Sequence, residues 1–180
     1  MCFEHTTLPE IKNSPPKEKF SIEMQVGDFK QYYNNKIDKR GIISDKDMGY
    51  NCLVGIVEPW KNSKLISSYE KETDKKAHQA YTLNVDGKIT QIASPTLNIF
   101  SVITLFIIPS YNTTTFDLKM KLKDNATGKI FNATLYSSFT IWKELIFLPL
   151  FPLFLSDMDE GRLSKSMHLY HEFKKQGAFN

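Results

Sequence analysis

The sequence predicts an α+β fold, a two-layer sandwich in which two helices cover a mainly antiparallel sheet of four strands. Two observations lead to this prediction: some segments alternate apolar and polar residues, and others repeat apolar residues at helical spacing. The 180 residues are 41% hydrophobic and 24% charged, as in an ordinary globular domain. The 23 basic and 20 acidic residues are mixed along the chain, so a nucleic-acid-binding surface is not expected.

Period-two alternation predicts the first two strands. Residues 20–26 place Phe20, Ile22, Met24 and Val26 on one face. Residues 81–85 alternate up to the Asp86-Gly87 turn signal, with a continuation through residue 89 left open. The polar residues 30–40 are assigned to no element, and the charged residues 69–76 show no apolar period and are predicted to be a solvated loop.

A β-hairpin is the clearest local prediction. Residues 116–123 alternate apolar side chains with Asp117 and three lysines, and residues 131–141 alternate in the same way. Asp124, Asn125 and Gly128 lie between the two segments and supply turn residues. The pattern predicts a hairpin with one buried and one solvated face.

Two helices are predicted from caps and spacing. Ser44 and Asp47 resemble a capping pair, and apolar residues from Met48 to Trp60 then follow helical spacing, with an end near Pro59. The last helix is expected to begin at Ser156 or Asp157. Its apolar stripe consists of Leu163, Met167, Tyr170 and Phe173, and Gly177 suits the position just past its end.

Two apolar runs, residues 97–108 and 145–155, fit neither a core element nor a bilayer span. A span needs about 20 apolar residues, and prolines flank the first run and interrupt the second where a long helix would break, so both are predicted to be loops. One follows the second strand and the other the fourth, which places both at the same pole of the sheet. The residues expected to contact a membrane, a partner or a ligand there are Leu105, Phe106, Ile107, Ile108, Trp142, Phe147, Leu148, Leu150, Phe151 and Phe154. Burial of both loops in the core is the alternative.

The amino-terminal segment is predicted to be a tether, residues 1–19, ahead of a single domain at residues 20–180. Cys2 is followed by seventeen residues with three prolines and no periodic apolar face, and such a segment reaches up to about 55 Å when extended. A mature bacterial lipoprotein begins in this way, so Cys2 is the expected lipid attachment site. The alternative is that Met1 and Cys2 are the native start of a cytosolic protein. Cys52 is predicted to be a small buried residue.

The tether after Cys2, the Leu105-Phe106-Ile107-Ile108-Pro109-Ser110 run, and Trp142 leading into residues 147–152 together resemble small bacterial envelope lipoproteins. The order of elements also resembles the lipopolysaccharide-transport lipoprotein of the outer membrane. The resemblance implies a lipid-anchored protein of the outer membrane, on its periplasmic or surface side, that binds a membrane protein or lipid. It assigns no role to any single residue.

No catalytic motif is evident, and we expect neither an enzyme nor a cofactor. His168 and His171 have a spacing that places two imidazoles on one helix face, but no third metal ligand accompanies them, so no metal site is expected. Two binding hypotheses remain. Either the apolar pole contacts a membrane or an integral membrane partner, or the two loops enclose a hydrophobic ligand between the sheet and helices. Self-association through the apolar loops is a further expectation.

Overall fold

The computed structural model describes residues 20–38, 43–72, 79–104, 110–143 and 151–179; the side chains of residues 142, 143, 151–160 and 162 are outside the description. The described residues form six strands and three helices. The strands are β1 (Ser21–Tyr33), β2 (Lys36–Ile37), β3 (Ser68–Lys71), β4 (Tyr81–Ala93), β5 (Ser110–Asp124) and β6 (Ile130–Lys143). The helices are α1 (Asp45–Asn62), α2 (Pro95–Ile103) and α3 (Phe151–Lys175).

The sheet is mixed, with the order β2-β1-β4-β5-β6 and with β3 paired to the first residues of β1. β1 runs parallel to β3 and β4, whereas β4–β5 and β5–β6 are antiparallel. The α+β class is confirmed, but the prediction of four mainly antiparallel strands and two helices is wrong. The connection from β1 to β4 contains α1, and a crossover of this kind starts the next strand parallel to the first.

β1 and β4 are longer than the alternation predicts. A bulge between Val26 and Phe29 inserts one extra residue into β1, and Phe29 then returns to the core with 4% exposure. The polar residues from Lys30 to Tyr33, which the sequence analysis assigns to no element, therefore belong to β1. β4 continues through Asp86 and Gly87 to Ala93 without turning.

Gly87 shows why this dipeptide is not a turn. Its φ is +150°, and a Cβ at this position would lie 2.3 Å from the backbone oxygen of Asp117 on β5. Glycine is needed because the neighbouring strand passes too close for any side chain. Asp86 and Gly87 are residue types that are common in hairpin turns, but the close approach of β5 determines that they lie within a strand here.

The charged segment that begins at Tyr69 is also partly a strand, which corrects the predicted loop. β3 pairs in parallel with Ser21–Met24 at the edge of the sheet, where Glu70 and Lys71 remain exposed. An edge strand buries little of either face, so it tolerates charges that a central strand would not. Residues 73–76 of this predicted loop lie outside the described residues.

The β5–β6 hairpin is confirmed. The pairing runs without a bulge from Ser110 opposite Lys143 to Lys123 opposite Ile130. In the turn, Asp124 accepts hydrogen bonds from Ala126 and Thr127, and Gly128 has a φ of +73°. Hydrogen bonding in the turn lowers the pKa of the Asp124 carboxyl, since the bonds favour its charged form.

α1 begins where its cap predicts. Ser44 Oγ accepts from the backbone N–H of Asp47 at 3.1 Å. The helix passes Pro59 and ends at Asn62, slightly later than predicted. Cys52 is half-buried rather than buried, and burial raises the pKa of its thiol to about 12.

α3 begins at Phe151, five residues before the predicted cap at Ser156. The second apolar run therefore ends inside a helix and not in a loop. Pro152 is compatible with this because a helix has no use for the N–H of its first residues. Of the predicted stripe, Tyr170 and Phe173 are buried, Met167 is partly buried, and Leu163 is 46% exposed, which corrects its place in the stripe. Gly177 lies past the end of α3 with a φ of +91°.

One face of the sheet packs against α1 and α3. Leu83, Leu122 and Phe131 form one row across β4, β5 and β6 on this face, and they belong to the same buried core as Leu53 and Val57 of α1. The opposite face carries Glu23, Asn84, Lys119 and other polar side chains, as the alternation predicts. The exposed residues on that face also include Lys88, Lys123, Asn132 and Thr134.

Two buried hydrogen bonds join α1 to α3. Trp60 has no exposed surface, and its Nε1 donates to the carbonyl oxygen of Ser166 at 2.8 Å. Ser166 Oγ donates in return to the carbonyl oxygen of Ile56 at 2.6 Å. Because both bonds are buried, they help to fix the position of the two helices, in addition to the packing between them.

An aromatic cluster closes the end of the sheet at which β1 and β4 begin. Phe179, just past α3, stacks between Phe20 at 4.7 Å and Tyr170 at 4.8 Å, and its ring also meets the edge of Tyr81. The backbone N–H of Phe179 donates to Tyr81 Oη. The predicted tether therefore joins the domain at Phe20, at this aromatic end.

Candidate functional site: an apolar pole around helix α2

The two apolar runs leave the sheet at the same end of its strands, as the sequence predicts. Ala93 at the end of β4 lies opposite Asn112 near the start of β5, and Ser110 lies opposite Lys143 at the end of β6. α2 follows β4, and residues 144–150 follow β6. We call this end, with α2 as its described part, the apolar pole.

The first apolar run begins as a helix, which corrects the predicted loop. α2 covers Pro95–Ile103, and Ser94 caps it by accepting from the backbone N–H of Leu97 at 3.3 Å. Proline occupies the first helical position, where its missing N–H removes no bond. The Ser-Pro pair before an apolar run is the sequence signal by which this helix could have been found.

α2 has its apolar side chains on the outside. Ile99, Val102 and Ile103 follow the i, i+3, i+4 spacing of one helix face and are 60%, 61% and 70% exposed. Phe100 beside them is 50% exposed. A helix of a water-soluble protein normally turns this stripe toward the core.

Two polar side chains of α2, Asn98 and Ser101, point inward. Ser101 has no exposed surface, and Asn98 Oδ1 is also buried. Neither Ser101 Oγ nor Asn98 Oδ1 has a hydrogen-bond partner among the described residues, and neither does the buried Oγ of Ser110 on the neighbouring β5. A buried polar group without a partner costs about 1–3 kcal/mol. α2 is therefore inverted relative to what water favours.

The chain around α2 carries no charge. No Asp, Glu, Lys or Arg occurs between Lys88 and Asp117, a segment that includes the second half of β4, α2 and the start of β5. A second uncharged segment, residues 145–155, leads into α3. These two segments can therefore contact an apolar surface without the free-energy cost of burying a charge.

The predicted contact residues have different outcomes. Leu105, Phe106, Ile107, Ile108, Phe147, Leu148 and Leu150 lie outside the described residues, and so does Cys2. Trp142 lies on β6, and Phe151 and Phe154 lie on α3, with side chains outside the description. The sequence analysis missed Ile99, Phe100 and Val102 as contact residues, although they belong to the first run it singled out.

Within the described parts of the chain, no three His, Cys, Asp or Glu residues lie close enough together to hold a metal ion. Burial lowers the pKa of His171, and the nearby Lys174, Lys175 and His168 add to the effect. The helices that the structure describes include none with the length and apolar character of a membrane span.

The fold and the site define a class: an α+β protein with a mixed sheet, two helices on one face, and an apolar pole. No protein-family model matches the chain, and no curated protein sequence is similar to it. Among solved structures, a minor lipoprotein from Acinetobacter baumannii is 8% identical with a TM-score of 0.39, and the alignment covers 89% of this chain and 95% of that one. A PelC dodecamer from Paraburkholderia phytofirmans is 8% identical with a TM-score of 0.38, covering 71% and 79%.

A third structure, described as a neuraminyllactose-binding hemagglutinin homolog from Helicobacter pylori, is 11% identical with a TM-score of 0.40, covering 95% of this chain and 96% of that one. These three neighbours include a lipoprotein, but not the lipopolysaccharide-transport lipoprotein that the order of elements resembles. At these TM-scores, the ligands and assemblies of the neighbours do not transfer to this chain.

Proposed function

We propose that this chain is a lipid-anchored interaction protein of the bacterial envelope, and that its apolar pole contacts a membrane or an integral membrane partner. The observation that carries the proposal is the inverted helix α2. Four apolar side chains that are 50–70% exposed form its outer face, while Asn98 and Ser101 are turned inward. Exposure of these side chains to water is unfavourable, and contact with an apolar surface outside α2 would remove them from water and make this orientation favourable.

The orientation of α2 also favours contact over enclosure. A carrier that closes over a hydrophobic ligand needs the apolar residues of the first run to face inward. Ile99, Val102 and Ile103 face outward instead. We therefore keep the carrier as the second hypothesis. The absence of catalytic activity is likewise part of the proposal.

The predicted tether joins the domain at Phe20, at the end opposite the apolar pole. β4 runs from Tyr81 at the aromatic end to Ala93 at the pole, and its 13 residues span about 40 Å. The predicted tether, as a flexible chain of seventeen residues, has an average span of about 23 Å. The pole then points away from the membrane that holds a lipid on Cys2. Contact between the pole and a partner located away from the anchoring membrane is therefore favoured over contact with the anchoring bilayer itself.

A sedimentation assay with membranes tests the contact. The unlipidated full chain is mixed with vesicles of total bacterial lipid, and separately with native envelope membranes that contain integral proteins. Binding to both supports direct lipid contact, and binding only to native membranes supports an integral partner. Binding to neither is evidence against the proposal.

A matched pair of variants assigns any binding to α2. Ile103→Ser removes an apolar side chain that is 70% exposed at the pole, and Ile130→Ser removes one that is 55% exposed at the opposite end of the sheet. We expect Ile103→Ser to weaken binding about tenfold, since burying such a side chain contributes about 1.5 kcal/mol. Ile130→Ser should bind like the parent chain. Equal losses in both variants would argue against the pole.

Lipid attachment is tested separately. The chain is expressed in a bacterium behind a lipoprotein signal peptide, and the mature protein is analysed by mass spectrometry. We expect a diacylglycerol adduct on Cys2 and its absence in Cys2→Ser. An unmodified Cys2 would contradict the lipid anchor. It would not bear on the contact at the apolar pole, which the sedimentation assay tests separately.

A further inference from the structure

β6 forms one edge of the sheet, and most of its outer side is open. Asn132 shows which backbone groups point outward: its N–H donates to Gln176 Oε1 at 3.1 Å, and its carbonyl oxygen accepts from Gln176 Nε2 at 2.8 Å. Backbone direction repeats every two residues in a strand, so the groups of Thr134, Tyr136, Ser138 and Thr140 point the same way. Among the described residues, the backbone of these four has no partner on that side.

The open edge lacks the features that natural proteins use to prevent strand pairing. Residues 130–142 include no charged residue and no proline. The pairing of β6 with β5 has no bulge, so the edge is regular along its whole length. Lysines, prolines and bulges are the usual protection of an exposed edge, and an edge without them accepts another strand.

We propose that two copies of this chain form a dimer by antiparallel pairing of residues 134–140 of their β6 strands. The register that uses every open residue places Thr134 opposite Thr140 of the second copy and Tyr136 opposite its Ser138. Each of these residues then donates one backbone hydrogen bond and accepts one. Pairing ends at Asn132, where Gln176 already occupies the edge.

The chemistry of the edge fits a second copy. A strand without charges offers nothing that selects an acidic or a basic segment of another protein, and a twofold axis between the Ser137 residues of the two copies pairs the edge with itself. On the helix side of the sheet, the half-buried Leu135 meets Phe139 of the second copy and is covered further. Threonine, tyrosine and phenylalanine also favour strand pairing.

Sedimentation equilibrium of the full chain, from micromolar to millimolar concentration, measures the dimer. The interface is small, so we expect a dissociation constant on the order of 100 µM. Ser138→Pro removes an outward N–H without removing a bond to β5, and should abolish dimerisation. Ser138→Ala loses the same hydroxyl but keeps the N–H and should dimerise like the parent chain. A parent chain that stays monomeric at 1 mM overturns the proposal.

Two further variants keep the result interpretable if Ser138→Pro folds poorly. Gln176→Ala frees the backbone of Asn132 to pair with that of Trp142 of the second copy, and should strengthen the dimer about threefold or more. An unchanged constant in this variant overturns the proposed register. Ile103→Ser should leave the dimer intact. If it abolishes association instead, the apolar pole is the contact and the β6 dimer is wrong.

Discussion

The inverted helix α2 makes an unusual prediction about two buried serines. Ser101 in α2 and Ser166 in α3 are both in helices and are 0% and 1% exposed. They differ in hydrogen bonding, because Ser166 Oγ donates to the Ile56 carbonyl at 2.6 Å whereas Ser101 Oγ has no partner among the described residues. We expect Ser101→Ala to stabilise the protein and Ser166→Ala to destabilise it.

The expected magnitudes follow from what each substitution removes. Alanine favours a helix over serine by about 0.5 kcal/mol, and this gain is shared by both variants. Ser101→Ala also removes a buried group that costs about 1 kcal/mol or more, so the free energy of unfolding should rise by about 1–2 kcal/mol. Ser166→Ala loses a buried bond worth about 1–1.5 kcal/mol, so its free energy of unfolding should fall by about 0.5–1 kcal/mol.

Urea denaturation followed by circular dichroism measures both changes. Equal m-values in the three proteins show that the midpoints report stability alone. A change of 1 kcal/mol corresponds to about 2–4 °C in Tm for a domain of this size, so thermal melts provide an independent reading. If Ser101→Ala lowers stability as much as Ser166→Ala does, Ser101 is hydrogen-bonded in solution, and the argument from the inverted helix fails.

Three further predictions concern the fold. Trp60→Phe should destabilise the protein by about 2–3 kcal/mol in urea, because it removes the buried bond to Ser166 and leaves a void; an unchanged midpoint would show that the bond contributes nothing. Gly87→Ala should cost about 3 kcal/mol, since a Cβ would lie 2.3 Å from a backbone oxygen, whereas Gly128→Ala, with open space around it, should cost only about 1 kcal/mol; similar losses in the two variants would contradict the steric explanation. Burial lowers the pKa of His171 below the 6.5 of an unfolded chain, so its contribution to stability is present above pH 6.5 and is lost as the pH falls; His171→Gln should reduce the difference in stability between pH 7.5 and 5.5, and an unreduced difference would exclude this histidine as the cause.

The local patterns with a single physical cause were predicted well. The β5–β6 hairpin follows from alternation and turn residues, and the start of α1 follows from the Ser44 cap. Both depend on neighbours in sequence, which is why the sequence shows them. The same reasoning failed at Asp86-Gly87, because the approach of β5 and not the local sequence determines the conformation of Gly87.

The candidate site was predicted in place but not in form. The sequence identified the first apolar run and put it at the same end of the sheet as the second. It did not show that residues 95–103 form a helix with Asn98 and Ser101 inward, since the spacing of apolar residues does not say which side of a helix the rest of the protein covers. Burial of Ser101 beside exposed Ile103 is a tertiary property, set by how α2 packs against β5.

The sequence by itself determined the α+β class, the β5–β6 hairpin and the position of the two apolar runs, because each is encoded by residue spacing along a short segment. Only the tertiary structure decided that β1 and β4 are parallel, that β6 is the last strand of the sheet formed by the described residues, and that α2 exposes its apolar side. These features depend on contacts between residues far apart in sequence. The physical reason is that a spacing pattern shows which side chains share a face, but not which element, if any, covers that face.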